Sequence, residues 1–430
     1  MRKINIGLIG YGTVGSGVAL FLQKRKSMIR KRYQIDFNIK SVCDLDIHQR
    51  DTKSIKTARL TTNFNDILND TSIDVVVELI GGTHPAKEIV VAALKSGKNV
   101  VTANKALISN FGKELFTLAR KHNRHLYFES AVGAGIPIIK TLTEGIVGNT
   151  HDRVYGIVNG TCNYILTVMK RHNYTFERAL KDAQKRGYAE SDPTLDINGM
   201  DSAHKLAILI YLAFGKFVSL KDIYTEGITE ISAEDIENAD QMGLTIKLLA
   251  IAKKEKNLIE ARVHPTLIPK DHPLASIHDV LNAIYLNADP LGDILLSGEG
   301  AGQMAAASGV VSDLINYASK TFDTALYCNL YDENAQLKLK KIDAIETKFY
   351  IRFTVIDQPG VLSRISGILG KHHISINSVT QKAHNKKSAV PVIMLTDYTT
   401  EKNIGLALKA IHKLPVIKSK PVAIRMEKLA

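Results

Sequence analysis

"KINIGLIGYGTVGSGVALFLQKR", from Lys3 to Arg25, decides the fold of the N-terminal part of the chain. Its apolar beginning predicts a buried strand, and helical spacing follows the run Gly10-Tyr11-Gly12-Thr13-Val14-Gly15. In a G-x-G-x-x-G turn, the first glycine permits a tight turn, the second lets the backbone approach a pyrophosphate, and the third allows close helix–strand packing. The helix N-terminus also favours the anion. The turn therefore predicts a dinucleotide site at Gly10, Gly12, Thr13, Val14 and Gly15; a glycine turn needed only for packing is the alternative.

Further apolar strands follow this turn, with helical patterns such as "HPAKEIVVAALKSG" between them. They are "FNIKSVCD", "DVVVELIG", "KNVVTAN" and "RHLYFES". Apolar strands joined by helices are typical of a parallel sheet covered on both faces. The pattern predicts a Rossmann-type α/β domain over residues 1–135, completed by a glycine-rich turn and helix at about 298–322. Gly302 in that turn is predicted to lie near the cofactor, with a plain helix-entry loop as the alternative.

The choice between NAD and NADP depends on the residues after the second strand. Asp44 could bond the ribose 2′-hydroxyl and so favour NAD, although it lies 29 residues after Gly15 and the usual spacing is about 20. His48 and Arg50 are close enough in sequence to meet a 2′-phosphate instead, and Asp44 could merely cap the following turn. The sequence therefore leaves the cofactor as NADP or NAD.

Composition limits the classes of partner. The 430 residues are 45% hydrophobic, carry a net charge of +13 and include three widely spaced cysteines. No apolar run is long enough for a membrane helix, and neither a disulfide framework nor a zinc knuckle fits the cysteines. The basic stretch Lys24–Arg32 lacks interleaved aromatic residues, so we interpret it as a solvated helix face rather than a polyanion site. We expect a cytoplasmic protein with no membrane and no nucleic-acid partner.

The pattern changes near residue 136. Helical patterns appear in "TFERALKDAQKRG", "DSAHKLAILIYLAFG" and "MGLTIKLLAIAKKEK", with strand-like "DRVYGIVNG" and "NLIEARVHPTLIP" among them. They predict an α+β substrate and dimerisation domain over residues 136–297. A linker is predicted over residues 323–346. Over residues 347–430, "KFYIRFTVID", "QPGVLSRISGILGKHH" and "ISINSVTQK" predict a small third domain with a βαβ pattern.

The segment "GYAESDPTLDINGMDSAHKLAIL", Gly187–Leu209, places several carboxylates before Lys205 at the head of an apolar helix. Asp201 and Lys205 are four residues apart on one helix face and can therefore pair. A lysine can exchange a proton with a substrate oxygen if its surroundings lower its pKa from about 10.4 towards neutrality. From the residues alone, the segment is either an acidic loop that caps a helix or a site in which the lysine reacts.

Several stretches together resemble the homoserine dehydrogenase family and occur in that family's order over roughly residues 4–320. They include "GLIGYGTVG", "VVTANKALI", "ESAVGAGIPII", "GIVNGTCNYIL" and the Gly187–Leu209 segment. The tail "YIRFTVIDQPGVLSRISGILGKHHISINSVTQK" resembles an ACT domain, which is ferredoxin-like. The resemblance implies a monofunctional homoserine dehydrogenase with a C-terminal ACT domain. This family interconverts L-homoserine and L-aspartate 4-semialdehyde with NAD(P), on the route to threonine and methionine.

The resemblance also implies roles for residues of the acidic segment. Lys205 matches the family's proposed proton donor, and Lys105, in "VTANKAL", matches a residue at the cofactor and substrate. Glu190 and Asp201 match substrate-binding positions, and Gly187 supplies backbone close by. We interpret the other two acids of the segment, Asp192 and Asp196, as loop architecture.

"ESAVGAGIP" resembles the family's loop for a monovalent cation. The resemblance implies that the backbone carbonyl oxygens of this loop bind Na⁺, since a hard cation prefers oxygen ligands. The residues concerned are Glu129, Val132, Ala134 and Ile136. Position 134 is often glycine in the family, so a carbonyl ligand there requires the loop to keep its dihedral angles. Two further departures are Cys43, where the family often has a basic residue that helps to select NADP, and "GAGQMAAA", which lacks the usual proline and threonine.

The ACT resemblance implies an effector site and an assembly. Asp357 and Gly360 in "DQPGVL", together with Asn377, are the candidate effector contacts, and threonine is the expected ligand. ACT domains usually pair through their sheets, which implies a homodimer or homotetramer. An ACT domain that only dimerises is the alternative.

Overall fold

The chain is described by a computed structural model that covers residues 1–321, 323–324, 326–330, 336–381 and 389–429. Parts of the predicted linker and ACT domain, at 325, 331–335, 382–388 and 430, lie outside the described residues, as does residue 322. The strands are β1 (Arg2–Ile9), β2 (Ile35–Cys43), β3 (Arg59–Thr61), β4 (Val75–Glu78), β5 (Asn99–Thr102), β6 (Leu126–Tyr127), β7 (Arg153–Ile157), β8 (Tyr224–Thr225), β9 (Leu244–Glu255), β10 (Leu258–Pro269), β11 (Leu281–Ala288), β12 (Gly292–Glu299), β13 (Lys338–Leu339), β14 (Glu346–Ile356), β15 (Ile376–Gln381), β16 (Ala389–Thr396), β17 (Thr399–Thr400) and β18 (Val422–Met426).

The α-helices are α1 (Thr13–Tyr33), α2 (Asn65–Leu68), α3 (Ala86–Lys95), α4 (Lys105–Lys121), α5 (Ile138–Lys140), α6 (Gly160–His172), α7 (Phe176–Lys185), α8 (Thr194–Ile197), α9 (Met200–Phe214), α10 (Ala233–Gln241), α11 (Gln303–Ser319), α12 (Leu326–Asn329), α13 (Val361–Lys371) and α14 (Glu401–His412). Over the described ranges, every helix is too short or too polar to cross a membrane.

The first compact unit contains the predicted dinucleotide-binding fold. It comprises Met1–Gly160, Asp201–Ile223 and Val280–Gln336. Its main sheet has the strand order β3-β2-β1-β4-β5-β6, and each neighbouring pair is parallel. This is the strand order of a Rossmann sheet, in which the order reverses between β1 and β4. The prediction of a Rossmann-type domain is confirmed.

Two later parts of the chain complete the first unit. α11 packs against α1, and Gln303 Nε2 donates a hydrogen bond to Ser16 Oγ at 3.0 Å. The short antiparallel strip β12-β11-β7 also belongs to this unit. Part of the predicted linker is held in the first unit, because Tyr327 in α12 is only 4% exposed and its ring packs against Phe116 and Phe128. Its carbonyl oxygen accepts a hydrogen bond from the Tyr211 hydroxyl of α9.

The second unit comprises Thr161–Met200, Tyr224–Asp279 and Leu337–Ala430, and it contains a long antiparallel hairpin. In this hairpin β9 pairs with β10 from Leu244 opposite Pro269 to Glu255 opposite Leu258. The helix predicted for "MGLTIKLLAIAKKEK" is therefore wrong. Residues 245–252 are all buried, Lys247 among them, and a largely apolar run of this kind fits a strand buried on both faces as well as a buried helix. The pairing with β10 along the whole strand favours the strand.

The C-terminal part of the second unit has the ferredoxin-like fold expected of an ACT domain. Its four main strands form the order β18-β14-β16-β15, all antiparallel, with α13 and α14 as the connecting helices. Its core contains Phe349, Phe353 and Ile365, all essentially inaccessible. The last strand, β18, also pairs with the hairpin, since Thr266 of β10 lies opposite Arg425 in a parallel register. The α/β and α+β fold class is thus confirmed.

A buried carboxylate ties the ACT domain to α10 within the second unit. Asp235, which is inaccessible to solvent, accepts two hydrogen bonds from Ser232 in a capping box at the start of α10. Arg352 of β14 donates Nε to Oδ1 at 2.7 Å and Nη2 to Oδ2 at 3.0 Å. The Tyr350 hydroxyl donates to Oδ1 at 2.9 Å. Five donors thus saturate this carboxylate.

Candidate active site

The G-x-G-x-x-G turn joins β1 to α1. Gly10 has a φ of +93°, and a Cβ there would lie 2.7 Å from the backbone that follows β4. A Cβ on Gly15 would lie 2.1 Å from the Gly10 carbonyl oxygen, whereas a Cβ on Gly12 would meet nothing within 4 Å. Packing therefore requires Gly10 and Gly15, while Gly12 leaves open space at the start of α1. Thr13 and Val14 begin this helix, whose N-terminal amides suit a pyrophosphate.

Asp44 lies directly after β2 and contacts the glycine turn. Its Oδ2 accepts the Tyr11 backbone N–H at 2.6 Å, and its Oδ1 accepts the Asp46 backbone N–H at 2.9 Å. Arg50 Nη2 lies 3.7 Å from Oδ1. The carboxylate therefore connects the glycine turn to the turn after β2, and it has a cation beside it.

The second glycine turn reaches the same end of α1. Gly302 has a φ of +113° and precedes α11, and no atom lies within 4 Å of the Cβ that it lacks. Its neighbour Gln303 contacts Gly17 and bonds to Ser16 in α1. The structure thus brings Gly302 close to the first turn of α1, where the dinucleotide turn ends.

Lys105 is the first residue of α4, just after the carboxyl end of β5. Asn104 caps this helix by accepting a backbone amide in its first turn, and it donates Nδ2 to the Gly82 carbonyl at 2.7 Å. Thr102, the last residue of β5, donates its hydroxyl to the buried carboxylate of Glu78 at 2.6 Å. These bonds fix the strand–helix junction at the edge where open α/β sheets bind ligands.

Asp201 lies between the two lysines that the sequence singled out. Lys205 Nζ is 2.7 Å from Asp201 Oδ2, and Lys105 Nζ is 3.0 Å from Asp201 Oδ1. Asn159 Nδ2 donates to Asp201 Oδ2 at 2.9 Å, and Lys205 Nζ also donates to the Val158 carbonyl at 2.5 Å. The carboxylate is buried, whereas the Lys105 side chain remains 42% exposed. We name Lys105, Asp201 and Lys205 the lysine–aspartate cluster.

The electrostatics of the cluster keep Asp201 ionised. Burial by itself would raise the pKa of the Asp201 carboxyl, but the charges of Lys205 and Lys105 outweigh it, helped by hydrogen bonds from Lys205 and Asn159. The pKa of Asp201 is therefore held well below its usual range. An ionised carboxylate shared by two ammonium groups is an arrangement that can hold a lysine in place for proton exchange.

A second contact joins the helices that carry the lysines. His204 Nδ1 of α9 lies 2.7 Å from Ser109 Oγ of α4. Burial lowers the pKa of His204, the Lys105 and Lys205 charges lower it further, and Asp201 opposes them. The sequence interpretation missed both residues. Their signal was spacing, because Ser109 lies one helical turn after Lys105 and His204 lies directly before Lys205.

The remaining acidic-segment residues belong to the second unit. Gly187 lies two residues after α7 with a φ of +76°, and it donates its N–H to the Gln184 carbonyl at 3.0 Å. Gln184 Nε2 in turn donates to the carbonyl of Glu190, whose side chain is exposed. Asp192 accepts both the backbone N–H and the hydroxyl of Thr194, which suits the interpretation of Asp192 as loop architecture.

Comparisons with known proteins bear on the whole chain. Family models described as "Homoserine dehydrogenase", "Homoserine dehydrogenase, NAD binding domain" and "ACT domain" match residues 137–315, 10–129 and 349–416. A curated relative from Neisseria gonorrhoeae, named homoserine dehydrogenase, is 40% identical over 434 residues, which cover 100% of both chains. The chain belongs to the homoserine dehydrogenase family.

Solved structures agree with this membership. The structure of a homoserine dehydrogenase from Thiobacillus denitrificans is 39% identical, covers 100% of this chain and 99% of its own, and superposes with a TM-score of 0.92. A hyperthermophilic archaeal homoserine dehydrogenase in complex with NADPH is 28% identical and covers 75% of this chain and 99% of its own, with a TM-score of 0.64. Like its family, the chain is an NAD(P)-dependent oxidoreductase that acts on a CH–OH group.

The loop that resembles the family's cation loop is tightly curled. Gly133 and Ala134 both have positive φ, of +69° and +49°, so Ala134 lies in the left-handed region that favours glycine. The Ile136 carbonyl accepts the backbone N–H two residues later at 2.8 Å. Within the described ranges, no group of three or more His, Cys, Asp or Glu side chains could hold a metal ion. A cation here would rely on backbone oxygens, among them those of Glu129 and Val132, and a compact turn suits that donor set.

The candidate effector residues separate into two places on the ACT domain. Asp357 and Gly360 line a cavity of about 160 Å³ between the end of β14 and the start of α13. Gln381 of β15 lines it as well, and its Nε2 lies 3.4 Å from Asp357 Oδ1. Asn377, also on β15, is not among the described lining residues.

Proposed function

We propose that this protein interconverts L-homoserine and L-aspartate 4-semialdehyde on the route to threonine and methionine, in the cytoplasm, with Lys205 as the proton-transfer residue. The observation that carries the proposal is the lysine–aspartate cluster in a member of this family. Lys205 is 2.7 Å from an ionised carboxylate inside a buried site, at the N-terminal part of α9.

In this mechanism Lys205 gives a proton to the aldehyde oxygen as it becomes a hydroxyl, and takes one from the hydroxyl in the reverse direction. Asp201 fixes the position of the Lys205 ammonium from one side, and the Val158 carbonyl fixes it from another. Lys105 shares the same carboxylate and remains accessible from solvent, so it can approach the substrate and cofactor. Burial of Asp201 and Lys205 strengthens their electrostatic contact by excluding water.

Gly10, Gly12, Thr13, Val14, Gly15 and Gly302 would hold the dinucleotide. The nicotinamide, when bound, supplies or accepts the hydride. Gly12 leaves room for the pyrophosphate, and the N-terminal amides of α1 stabilise its charge. NAD and NADP remain the two candidates, because Asp44 suits a ribose hydroxyl and Arg50 beside it suits a 2′-phosphate. The archaeal relative's complex with NADPH supports the phosphorylated form.

The substrate and regulatory sites complete the proposal. Glu190 and Asp201 would bind the ammonium group of the amino-acid substrate, with Gly187 backbone nearby, since carboxylates are its natural partners. Na⁺ would bind the carbonyl oxygens of the loop that holds Ala134. Threonine would bind the ACT domain, and the protein would assemble as a homodimer or homotetramer through its sheets.

The test is an initial-rate assay of the purified protein with L-homoserine and either NAD⁺ or NADP⁺, with and without threonine and Na⁺. We expect turnover with at least one cofactor and inhibition by threonine. Lys205→Ala is assayed in parallel, and we expect it to bind cofactor while losing most of kcat. Absence of homoserine-dependent reduction with both cofactors would contradict the proposed reaction, and full activity of Lys205→Ala would contradict the assignment of Lys205.

A further inference from the structure

We propose that His204 is a positioning residue for the lysine–aspartate cluster, and that it acts through its hydrogen bond to Ser109. The inference rests on the proposed role of Lys205 and adds a residue pair that holds the two lysine-bearing helices in register. Neither side chain is required to touch substrate or cofactor for this role.

The geometry consists of two contacts between the same two helices. Lys105 of α4 reaches Asp201 of α9 at 3.0 Å, and Ser109 of α4 lies 2.7 Å from His204 of α9. Lys105 and Ser109 are one turn apart on α4, and Asp201 and His204 are nearly one turn apart on α9, so each pair lies on one helix face. Two contacts at successive turns fix both the distance and the relative rotation of the helices, which a single contact does not.

The two contacts differ in stiffness. The Lys105–Asp201 contact ends in a long side chain that is 42% exposed, so lysine rotamer freedom and solvent screening weaken it as a restraint. The Ser109–His204 contact uses a short side chain and a ring with few torsions. The Ser109 hydroxyl is also 3.3 Å from the Ala106 carbonyl of its own helix, which limits its rotation. The neutral hydrogen bond is therefore the stiffer of the two.

The charge of His204 suits this role. The charged groups that face it are Lys105 from α4, with Asp201 and Lys205 from α9. Burial and Lys105 lower its pKa, so the imidazole is neutral near pH 7 and adds no third positive charge beside two ammonium groups. With the Ser109 proton directed at the Ala106 carbonyl, the neutral ring serves this bond as the donor, in the tautomer protonated at Nδ1.

The experiment compares five variants of the full-length protein: His204→Ala, His204→Asn, His204→Gln, Ser109→Ala and the double variant His204→Ala/Ser109→Ala. The bond uses Nδ1, and the terminal atoms of asparagine occupy that position while those of glutamine extend beyond it. We expect His204→Ala and Ser109→Ala each to lower kcat by about 10- to 100-fold with the KM for the cofactor unchanged, because small misplacement of reacting groups has effects of this size. His204→Asn should recover most of kcat, whereas His204→Gln should not.

The double variant tests whether the two residues act through one bond. We expect its kcat to equal that of the single variant with the lower kcat, since both changes remove the same contact. His122→Ala, at the far end of α4, is the matched control and should keep wild-type kcat. Thermal unfolding of each variant identifies any that is not folded at the assay temperature. If His204→Ala fails to fold, Ser109→Ala still tests the hydrogen bond, because alanine favours the helical conformation of α4.

Unchanged kcat in folded His204→Ala or Ser109→Ala would overturn the inference, and so would additive losses in the double variant. Equal loss in His204→Asn and His204→Ala would also overturn it. These outcomes differ from a failure of the proposed function, which would show as absence of homoserine turnover in the wild type or full activity in Lys205→Ala.

Discussion

Asp201 and Asp235 are both buried carboxylates near the start of a helix, and both bind cations. Around Asp235 the cation is a guanidinium that donates two hydrogen bonds and is only 14% exposed. Around Asp201 the cations are two ammonium groups, one of them on a side chain that is 42% exposed. In both regions a buried carboxylate binds cations, but the type of cation and its exposure to solvent differ.

The difference indicates which of the two buried carboxylates is paired with a cation that can exchange a proton. Arginine does not lose its proton in proteins, and its planar fork matches a carboxylate, so the Arg352–Asp235 pair is suited to holding the ACT domain against α10. A lysine ammonium can lose a proton when its surroundings favour it, and it presents donors in several directions. The proposed proton transfer by Lys205 therefore uses a cation that can lose its proton. Replacing Lys205 should mainly lower activity, whereas replacing Arg352 should mainly lower stability.

The largest expected effect is on activity in Lys205→Ala. We expect kcat to fall by about 100- to 10,000-fold, the range for loss of a general acid–base group. Arg352→Ala is the matched variant in the other cluster and should keep kcat within about threefold at a temperature where it is folded. Steady-state rates with homoserine measure both, and comparable losses of kcat in the two variants would contradict the division of roles.

Asp235→Ala should have the largest effect on stability. Removing the carboxylate takes away the acceptor to which the buried Arg352 guanidinium and the Tyr350 hydroxyl donate, and breaking a buried ion pair costs about 3–5 kcal/mol. Urea unfolding, followed by circular dichroism, measures the change. Glu237→Ala, on an exposed position of the same helix, is the control and should change the free energy of unfolding by less than about 0.5 kcal/mol. Similar changes in both variants would argue against Asp235 as an anchor.

The pH dependence of stability distinguishes Asp201→Asn from the wild type. The pKa of Asp201 is depressed in the folded state, so its ionised form stabilises the fold at pH values above the unfolded pKa of about 3.9. This contribution, about 1.5–3 kcal/mol for hydrogen bonds to a charged group, is lost only as the pH falls through the folded pKa. We expect the difference in urea midpoint between the two proteins to stay constant from pH 8 to about pH 5 and to shrink at lower pH. A difference that disappears between pH 8 and pH 5 would show that Asp201 is not held ionised.

The smallest expected effects come from two amide side chains, one bonded to Asp201 and one bonded to Tyr350 beside Asp235. Asn159→Ala removes a single hydrogen bond to Asp201, and Asn238→Ala removes one to the Tyr350 hydroxyl. Each should lower the free energy of unfolding by about 1 kcal/mol. Only Asn159→Ala should also change kcat, by several-fold, because only it touches the lysine–aspartate cluster. Equal kcat in the two variants would mean that Asn159 does not help to orient Asp201.

The sequence predicted most of the first unit because local rules determine it. The glycine turn, the order of strands and helices, and the placement of Lys105 at a strand end each follow from short motifs. The pairing of Asp201 with Lys205 followed from their spacing along a helix, but its second partner, Lys105, comes from a different helix. Contacts of this kind depend on how two helices pack, which the spacing of residues within either helix does not determine.

The second unit was harder to predict for a similar reason. β9 was interpreted as a helix because an apolar run of its length is compatible with either structure, and its partner β10 decides between them. The pairing of Asp235 with Arg352 joins residues 117 apart in sequence. The domain boundaries proposed from the sequence stay a prediction, as do the Na⁺ loop and the threonine site.

The place of β18 in the second unit has a consequence for the growing chain on the ribosome. β10 and β14 are synthesised before β18, the strand that pairs with both of them. Until β18 emerges, β14 presents an unpaired edge, and such an edge is a template for pairing with other chains. Among the described strands of this sheet, β18 is therefore the one whose absence leaves the β14 edge open to mispairing.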